Sequence, residues 1–512
     1  MLTSKKKRLY FLIIPMIVLF VAIAGCFVYY TFISPESEIP FLNIFFKTKP
    51  RTDIFYPSKL YYISDRDDHK VVAQEVRDKQ YMFLPSSADI SALTLYYDNY
   101  TGTQVFVRRG DGDESASSVP FENGSTINIE DLYDYSTPSG GVYALEFEYL
   151  KDGKLQNEYL YVMFSQDIPA LFLEIDESQG KIEDMNADQD VKCYGSAGAL
   201  YADSSYEKYG TMTIGGRGNS TWKRDKKPYM IKLNSKRDVL GMGSAKTWIL
   251  LANYDDSSLV RNAIGFDLSE MLEFGFTCEY RYVDLYMNGV YLGNYMVCEK
   301  IQIDEQRLNI YDLEDEIDVA LKRYNSRNDT EYEYLSDLMA ADPDNAYISD
   351  DGHTATVIVE DDTYIIDLTQ GYLLEFDYYT DDIQLRFDSV RKVTVKSPEN
   401  LASSIDDRCF DYITSFLYDA NDAILSSTGY NQSGAYYTEY IDTESFARMW
   451  MAKEYSMDWD ACVSIYMYMD EDHKLHAGPL WDNDNAFGMS ESISHNTDIN
   501  YKVGVNGGSH ST

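Results

Sequence analysis

The segment Arg281–Lys300 restricts the fold more than any other. It places Asn288-Gly289, two residues that tolerate positive φ, between Arg-Tyr-Val-Asp-Leu-Tyr-Met and Val-Tyr-Leu-Gly-Asn-Tyr-Met-Val-Cys-Glu-Lys. That pattern specifies a type I′ β-hairpin. The same grammar recurs upstream in Ala92–Tyr97, Gln104–Arg108, Gly141–Tyr149 and Glu158–Met163, with Asp152-Gly153 as the turn between the last two. Residues 59–165 therefore read as a small all-β, sandwich-like module without a cluster of catalytic groups, a spacer or binding unit. A chain of 512 residues exceeds one core, so a second domain is expected from about 168 to 512.

The N-terminus carries a different signal. Lys5-Lys6-Lys7-Arg8 precede an apolar run from Leu9 to about Phe32, long enough to cross a bilayer as a helix. Residues 1–34 thus predict a cytoplasmic tail and a single-pass cell-membrane anchor, 35–58 a linker, and everything beyond an extracytoplasmic location. Ile23-Ala24-Gly25-Cys26 offers the alternative of a lipoprotein anchored at Cys26. The formal charge of −40 argues against nucleic acid as a partner and favours cations or basic proteins.

Chemistry concentrates in two places. Gly215-Gly-Arg217-Gly218-Asn219-Ser220-Thr221 follows a strand, and a glycine-rich loop of this kind can wrap phosphate oxygens. In Tyr229–Leu233, Ile231 and Leu233 share one strand face and Lys232 takes the other, where it can neutralise phosphate or guard an edge. Glu299, at the end of the Asn-Gly hairpin, is available to pair with a basic residue of this region. The second place is Asp458–Gly488. Strand-like alternation over Ser464–Met469, a polar turn at Asp470–His473 and a return over Lys474–Leu480 make a hairpin flanked by Asp458/Asp460 and Asp482/Asp484. Four such carboxylates call for a cation, and hard oxygen donors suit Mg²⁺ or Ca²⁺. Helices are expected over about 257–274, 403–426 and 443–457, the last with Phe446, Trp450 and Met457 along one stripe. The acidic, weakly periodic stretch at about 315–362 reads as an insertion of short helices and mobile loops.

Together these residues resemble the spore-coat CotH-type kinases. The resemblance rests on Arg217-Gly-Asn-Ser-Thr-Trp222, Lys227–Leu233, Trp248–Tyr254, Leu259-Val-Arg-Asn262, Val283–Gly293, Gly371–Glu375, Lys396-Ser-Pro-Glu399 and Trp481-Asp-Asn-Asp-Asn-Ala-Phe-Gly488. It implies an α+β, atypical protein-kinase-like domain that uses ATP and Mg²⁺ to phosphorylate serine or threonine of exported or surface proteins, with a serine-rich or basic acceptor. It also implies roles: Asp482 and Asp484 as metal residues with Ser464 beside them, Asp460 as the acceptor of the substrate hydroxyl proton with Asp458 alongside, and Lys232 with Glu299 as the phosphate lysine and its partner. Arg217, Gly218, Asn219 and Ser220 would hold the nucleotide. Asp458 and Ser464 stand where family members commonly carry asparagine, and the chain stops soon after Gly488 where they usually continue, which suggests a truncated C-terminus. A catalytically inactive adhesion or assembly protein, or a kinase with a glycan acceptor, is the alternative.

Overall fold

The computed structural model describes residues 55–487 apart from 66–67, 98–103, 111, 113–115, 152, 377–382, 387–391, 405–407 and 459–462. The apolar run Leu9–Phe32, Cys26 and Asp460, the expected proton acceptor, fall outside those residues. Among the described residues no helix is long and apolar enough to cross a membrane. The chain divides into two compact units, one drawn mainly from residues up to Met163 and one running from Phe164 onward with short pieces of the earlier chain.

The first unit is all-β in its sheets, one of four strands and one of six. Its longest pairing joins Tyr143–Lys151 to Lys154–Phe164, with Lys151 opposite Lys154, the register expected of a turn at 152–153. Phe55 stacks on Tyr97 of one sheet at 5.0 Å and meets Phe147 of the other at 5.1 Å, so one aromatic side chain ties both inner faces into a core.

The second unit begins with a closed seven-stranded barrel. Consecutive antiparallel pairs run from Ala170–Ile175 through Lys192–Leu200, Tyr206–Gly216, Tyr229–Asp238 and Ser244–Leu251. The Asn-Gly hairpin follows, with Tyr280–Met287 opposite Val290–Glu299 and Met287 facing Val290. Asn288 and Gly289 both have positive φ, as a type I′ turn requires. Val290–Glu299 pairs back with Ser244–Leu251, and a parallel pairing of Ala170–Leu173 with Asp284–Met287 closes the barrel. Trp248, fully buried, lies opposite Ile231 on one side and Glu299 on the other.

A second sheet follows, with Tyr372–Phe376 between Lys392–Ser397 and Ile465–Met469, and Leu475–Ala477 beyond. The last two strands form the hairpin expected before the Trp481 loop. Helices at Arg261–Met271, Asp411–Leu425 and Thr443–Tyr455 match the expected positions but start or end several residues inside the sequence-based bounds. The 315–362 stretch is ordered: a 16-residue helix, Leu313–Asn328, a short one at Leu335–Ala341, and a three-stranded sheet from Ala346 to Asp367. Leu313, Ile317, Ala320, Leu321 and Tyr324 form its buried stripe, at helical spacing that the acidic outer face disguised. The Lys396-Ser-Pro-Glu399 motif pins this helix by its first turn. Ser397 Oγ and the Glu399 amide both donate to Glu314, and Asn400 Nδ2 donates to the Glu314 carbonyl.

Candidate functional site

A cleft of about 680 Å³ runs between the outer face of the barrel and the second sheet. Its lining includes Arg217 and five lysines, Lys232, Lys236, Lys246, Lys300 and Lys396. In a chain with nearly twice as many acidic as basic side chains, this gathering of cations is the clearest electrostatic feature of the unit. Two are committed: Lys236 pairs with Asp304 at 2.6 Å and Lys396 with Glu375 at 3.3 Å. Lys232, Lys246 and Lys300 have no carboxylate within ion-pair distance among the described residues. The far side bears Asp312, Glu314, Asp315 and Asp318 from the start of the 313–328 helix.

Lys232 reaches the cleft for the reason read from the sequence. Ile231 and Leu233 turn into the barrel core and Lys232 is exposed between them, opposite Thr247, another lining residue. Glu299 is not its partner. Glu299 lies opposite Trp248, inside the barrel, where Arg307 pairs with it and stacks over the Trp248 ring at 4.7 Å. Burial pushes the Glu299 carboxyl up to about 7, against the opposing pull of the Glu279 amide and Arg307. This buried pair closes the barrel end and faces away from the cleft lysine.

The glycine-rich loop contributes one residue of the expected four. Arg217 lines the cleft, its guanidinium 5.5 Å from the centre of the Trp481 ring. Gly218, Asn219 and Ser220 are not among the lining residues. The positive φ of Gly218 turns the chain into a short 3-10 turn at Thr221–Lys223, the Gly218 carbonyl accepts from Gln189 Nε2, and Asn219 and Ser220 are left exposed.

Trp481 lines the cleft beside Arg217 and leads into the acidic loop, whose Asp482 and Asp484, like Ser464, are not themselves lining residues. Trp481 is wedged between Phe266 and Tyr466. The next residue, Asp482, adopts positive φ, accepts a 3.1 Å hydrogen bond from Ser464 Oγ and keeps an opening to solvent. Burial pushes its carboxyl up; Lys453 opposes this, Asp458 reinforces it, and the Ser464 bond and Arg217 pull it back down. Asp458 is fully buried and receives a 2.6 Å bond from Lys453 Nζ, which also donates to the Trp481 carbonyl at 3.2 Å. Asp484 is buried one residue beyond Asn483. So Asp458, Ser464 and Asp482 lie together with Arg217 nearby, and Lys453 is a member that sequence reasoning missed. The helix 443–455 turns Met449, Ala452 and Lys453 inward and leaves Trp450 exposed, contrary to the expected stripe. A lysine in a last helical turn reads as favourable to the helix dipole, which hides a buried role.

The Trp481–Asp484 loop is also clamped from the barrel side. Asn262 Nδ2 donates to Asn253 Oδ1, and Asn262 Oδ1 accepts from the Asn483 amide at 2.8 Å. The Asp256 carboxylate holds the start of the Arg261–Met271 helix through the Ser258 and Arg261 amides and the Arg261 guanidinium. The Leu259-Val-Arg-Asn262 motif is thus the brace between the barrel and Asp482-Asn-Asp484.

A family model described as CotH kinase protein matches residues 214–509. The chain belongs to the CotH kinase family. The match spans the cleft, the Asn262 brace and the Trp481 loop, and CotH membership makes the domain kinase-like. A search of curated proteins finds no match.

ATP and Mg²⁺, which the CotH family implies, can be tested against these residues. Mg²⁺ binds through one or two carboxylates completed by water and phosphate, not through an all-protein cage. Asp482 and Asp484, one residue apart on the same loop, are the oxygen donors the loop offers for such a cation; among the described residues no group of three or more acidic, histidine or cysteine side chains gathers as a metal site. A desolvated Asp482 with no ion-pair partner within reach among the described residues is relieved by a bound cation. The unpaired lysines suit the remaining phosphate charge.

Proposed function

We propose that this chain is an atypical kinase that transfers the γ-phosphate of ATP to serine or threonine hydroxyls of exported or surface proteins, held at the cell membrane by its N-terminal apolar segment. The observation that carries this reading is a lysine-lined cleft whose Arg217 and Trp481 end adjoins the hydrogen-bonded Asp482–Ser464 pair.

Phosphoryl transfer asks a protein for positioning and charge neutralisation more than for covalent chemistry. Asp482 and Asp484 would hold the divalent cation, and Ser464 orients the Asp482 carboxylate by its hydroxyl bond. A Mg²⁺ held there would supply positive charge to offset the charge that develops on the transferred phosphoryl group. Lys232, Lys246 and Lys300 bind the phosphates from the barrel wall, with Arg217 at the Asp482 end. Trp481 and Tyr466 form an apolar floor that limits water at the reacting end. Asp460 accepts the proton of the attacking hydroxyl. The acidic wall around Asp312, Glu314, Asp315 and Asp318 favours an acceptor whose serines lie among basic residues.

The decisive measurement is transfer of labelled phosphate from ATP to a serine-rich basic peptide. Asp482→Ala is expected to remove at least about 100-fold of the rate, the scale on which single electrostatic contributors act. Transfer at the wild-type rate would refute the site.

A further inference from the structure

The geometry points to Lys453 and Asp458 as a charge-sequestering pair, in which Asp458 holds the Lys453 ammonium away from Asp482 and so leaves the cation-holding carboxylate uncompensated. Three observations place them in that role. The Lys453 side chain is 2% exposed and that of Asp458 0%, so neither exchanges its partner for water. Lys453 Nζ bonds Asp458 Oδ2 at 2.6 Å and the Trp481 carbonyl at 3.2 Å, which puts the ammonium against the peptide that leads into Asp482. It nevertheless makes no ion pair with Asp482 and acts on it through space, while the hydrogen bond to Asp482 comes from Ser464.

The backbone fixes this arrangement. The helix ends at Tyr455, Met457 takes positive φ, and the Asp458 amide donates to the Lys453 carbonyl at 3.1 Å. Asp458 is thereby folded back under the turn that carries Lys453, and the two side chains meet as a consequence. Among the described residues, Asp482 is a carboxylate on which an unheld ammonium at this point would act. In that pairing it competes directly with a divalent cation, because both need the same oxygens. Both residues are positioning groups: neither has to touch nucleotide or acceptor.

The inference rests on the reading of Asp482 as a cation ligand, and the experiment separates the two. Mn²⁺ is titrated into the full chain and its Asp458→Asn, Lys453→Met and Lys453→Met/Asp458→Asn variants by calorimetry, with melting temperature in EDTA recorded for each. Asp458→Asn should weaken Mn²⁺ at least about tenfold, as expected when one charge is freed within a few ångströms of the ligand. The double variant should recover to within about threefold of wild type, because removing the ammonium removes the competitor. Its melting point should recover as well, since no buried charge is left unpaired. Lys453→Met alone should melt lowest in EDTA and gain most from Mn²⁺. A double variant as weak for Mn²⁺ as Asp458→Asn, or an Asp458→Asn variant that binds like wild type, overturns the sequestering role. Absence of Mn²⁺ binding by the wild-type chain instead overturns the reading of Asp482, and this pair's role falls with it.

Discussion

Gly265, on the Arg261–Met271 helix, packs against Asn483 and should control the Trp481–Asp484 loop. A Cβ at this position would lie 2.8 Å from the Asn483 Cβ and closer still to its Cγ and Nδ2. The first atom is anchored to backbone and cannot swing aside, so Asn483 has to move as a unit. Replacing a helical glycine by alanine gains about 1 kcal/mol of helix propensity. Against that stand an overpacking cost of about 1–3 kcal/mol and about 1 kcal/mol for the Asn483 amide bond to Asn262 if it breaks. Gly265→Ala is therefore expected to lose roughly 1–3 kcal/mol net. Because Asn483 lies between Asp482 and Asp484, Mg²⁺ affinity should fall with it. Chemical denaturation gives the first quantity and calorimetry the second. Asn483→Gly in the same chain removes that Cβ together with the amide, so the double variant should be more stable than the sum of the singles by about 1 kcal/mol or more. If Gly265→Ala is as stable as wild type and binds Mg²⁺ equally, the helix does not fix the loop and the brace is misassigned.

Two further outcomes follow from the same geometry. Lys232→Ala, Lys246→Ala and Lys300→Ala should each raise the KM for ATP about 3- to 10-fold with kcat changed less, as removal of one partly exposed phosphate contact does, and the effect should shrink at high salt; equal KM values in all three would place the phosphates elsewhere. Lys226 Nζ donates to the Ala252 carbonyl at 2.8 Å and to that of Asn294, and burial lowers its pKa from 10.5 to about 8. The folded form then binds fewer protons than the unfolded form between those values, so stability attributable to Lys226 should rise with pH across that window and be lost as pH falls through 8. The difference in unfolding free energy between wild type and Lys226→Met should change by at most about 3 kcal/mol from pH 8 to 10.5; a flat difference would mean that Lys226 keeps its charge in the barrel.

What the sequence made legible followed from local rules. The Asn288-Gly289 turn, the hairpin before Trp481 and the exposure of Lys232 are each decided within ten residues, by turn chemistry or by period-two alternation. Barrel closure is not local. It depends on Ala170–Leu173 meeting Asp284–Met287 in parallel across more than a hundred residues, and neither strand announces its partner. Glu299 was misread for a related reason. In Val290–Glu299 both faces are largely buried, one by the barrel interior and one by the cleft wall, so alternation carries no sign of which way the last residue points.

The placement of Lys453 shows where sequence reasoning stops in the site itself. Asp458 could be assigned to an acidic cluster because acids near a hairpin suggest a cation, but a cluster of like charges is stable only if each buried member has a counter-charge. Counting carboxylates gives the demand for positive charge and not its source. One source is a bound ion; another is an ammonium from a helix whose sequence looks amphipathic in the ordinary way. In the structure Lys453 answers Asp458; on the proposed reading, Asp482 is left for the ion. That division makes Asp482 the residue whose removal should abolish transfer, and Asp458 the one whose replacement should be tolerated only when Lys453 goes with it.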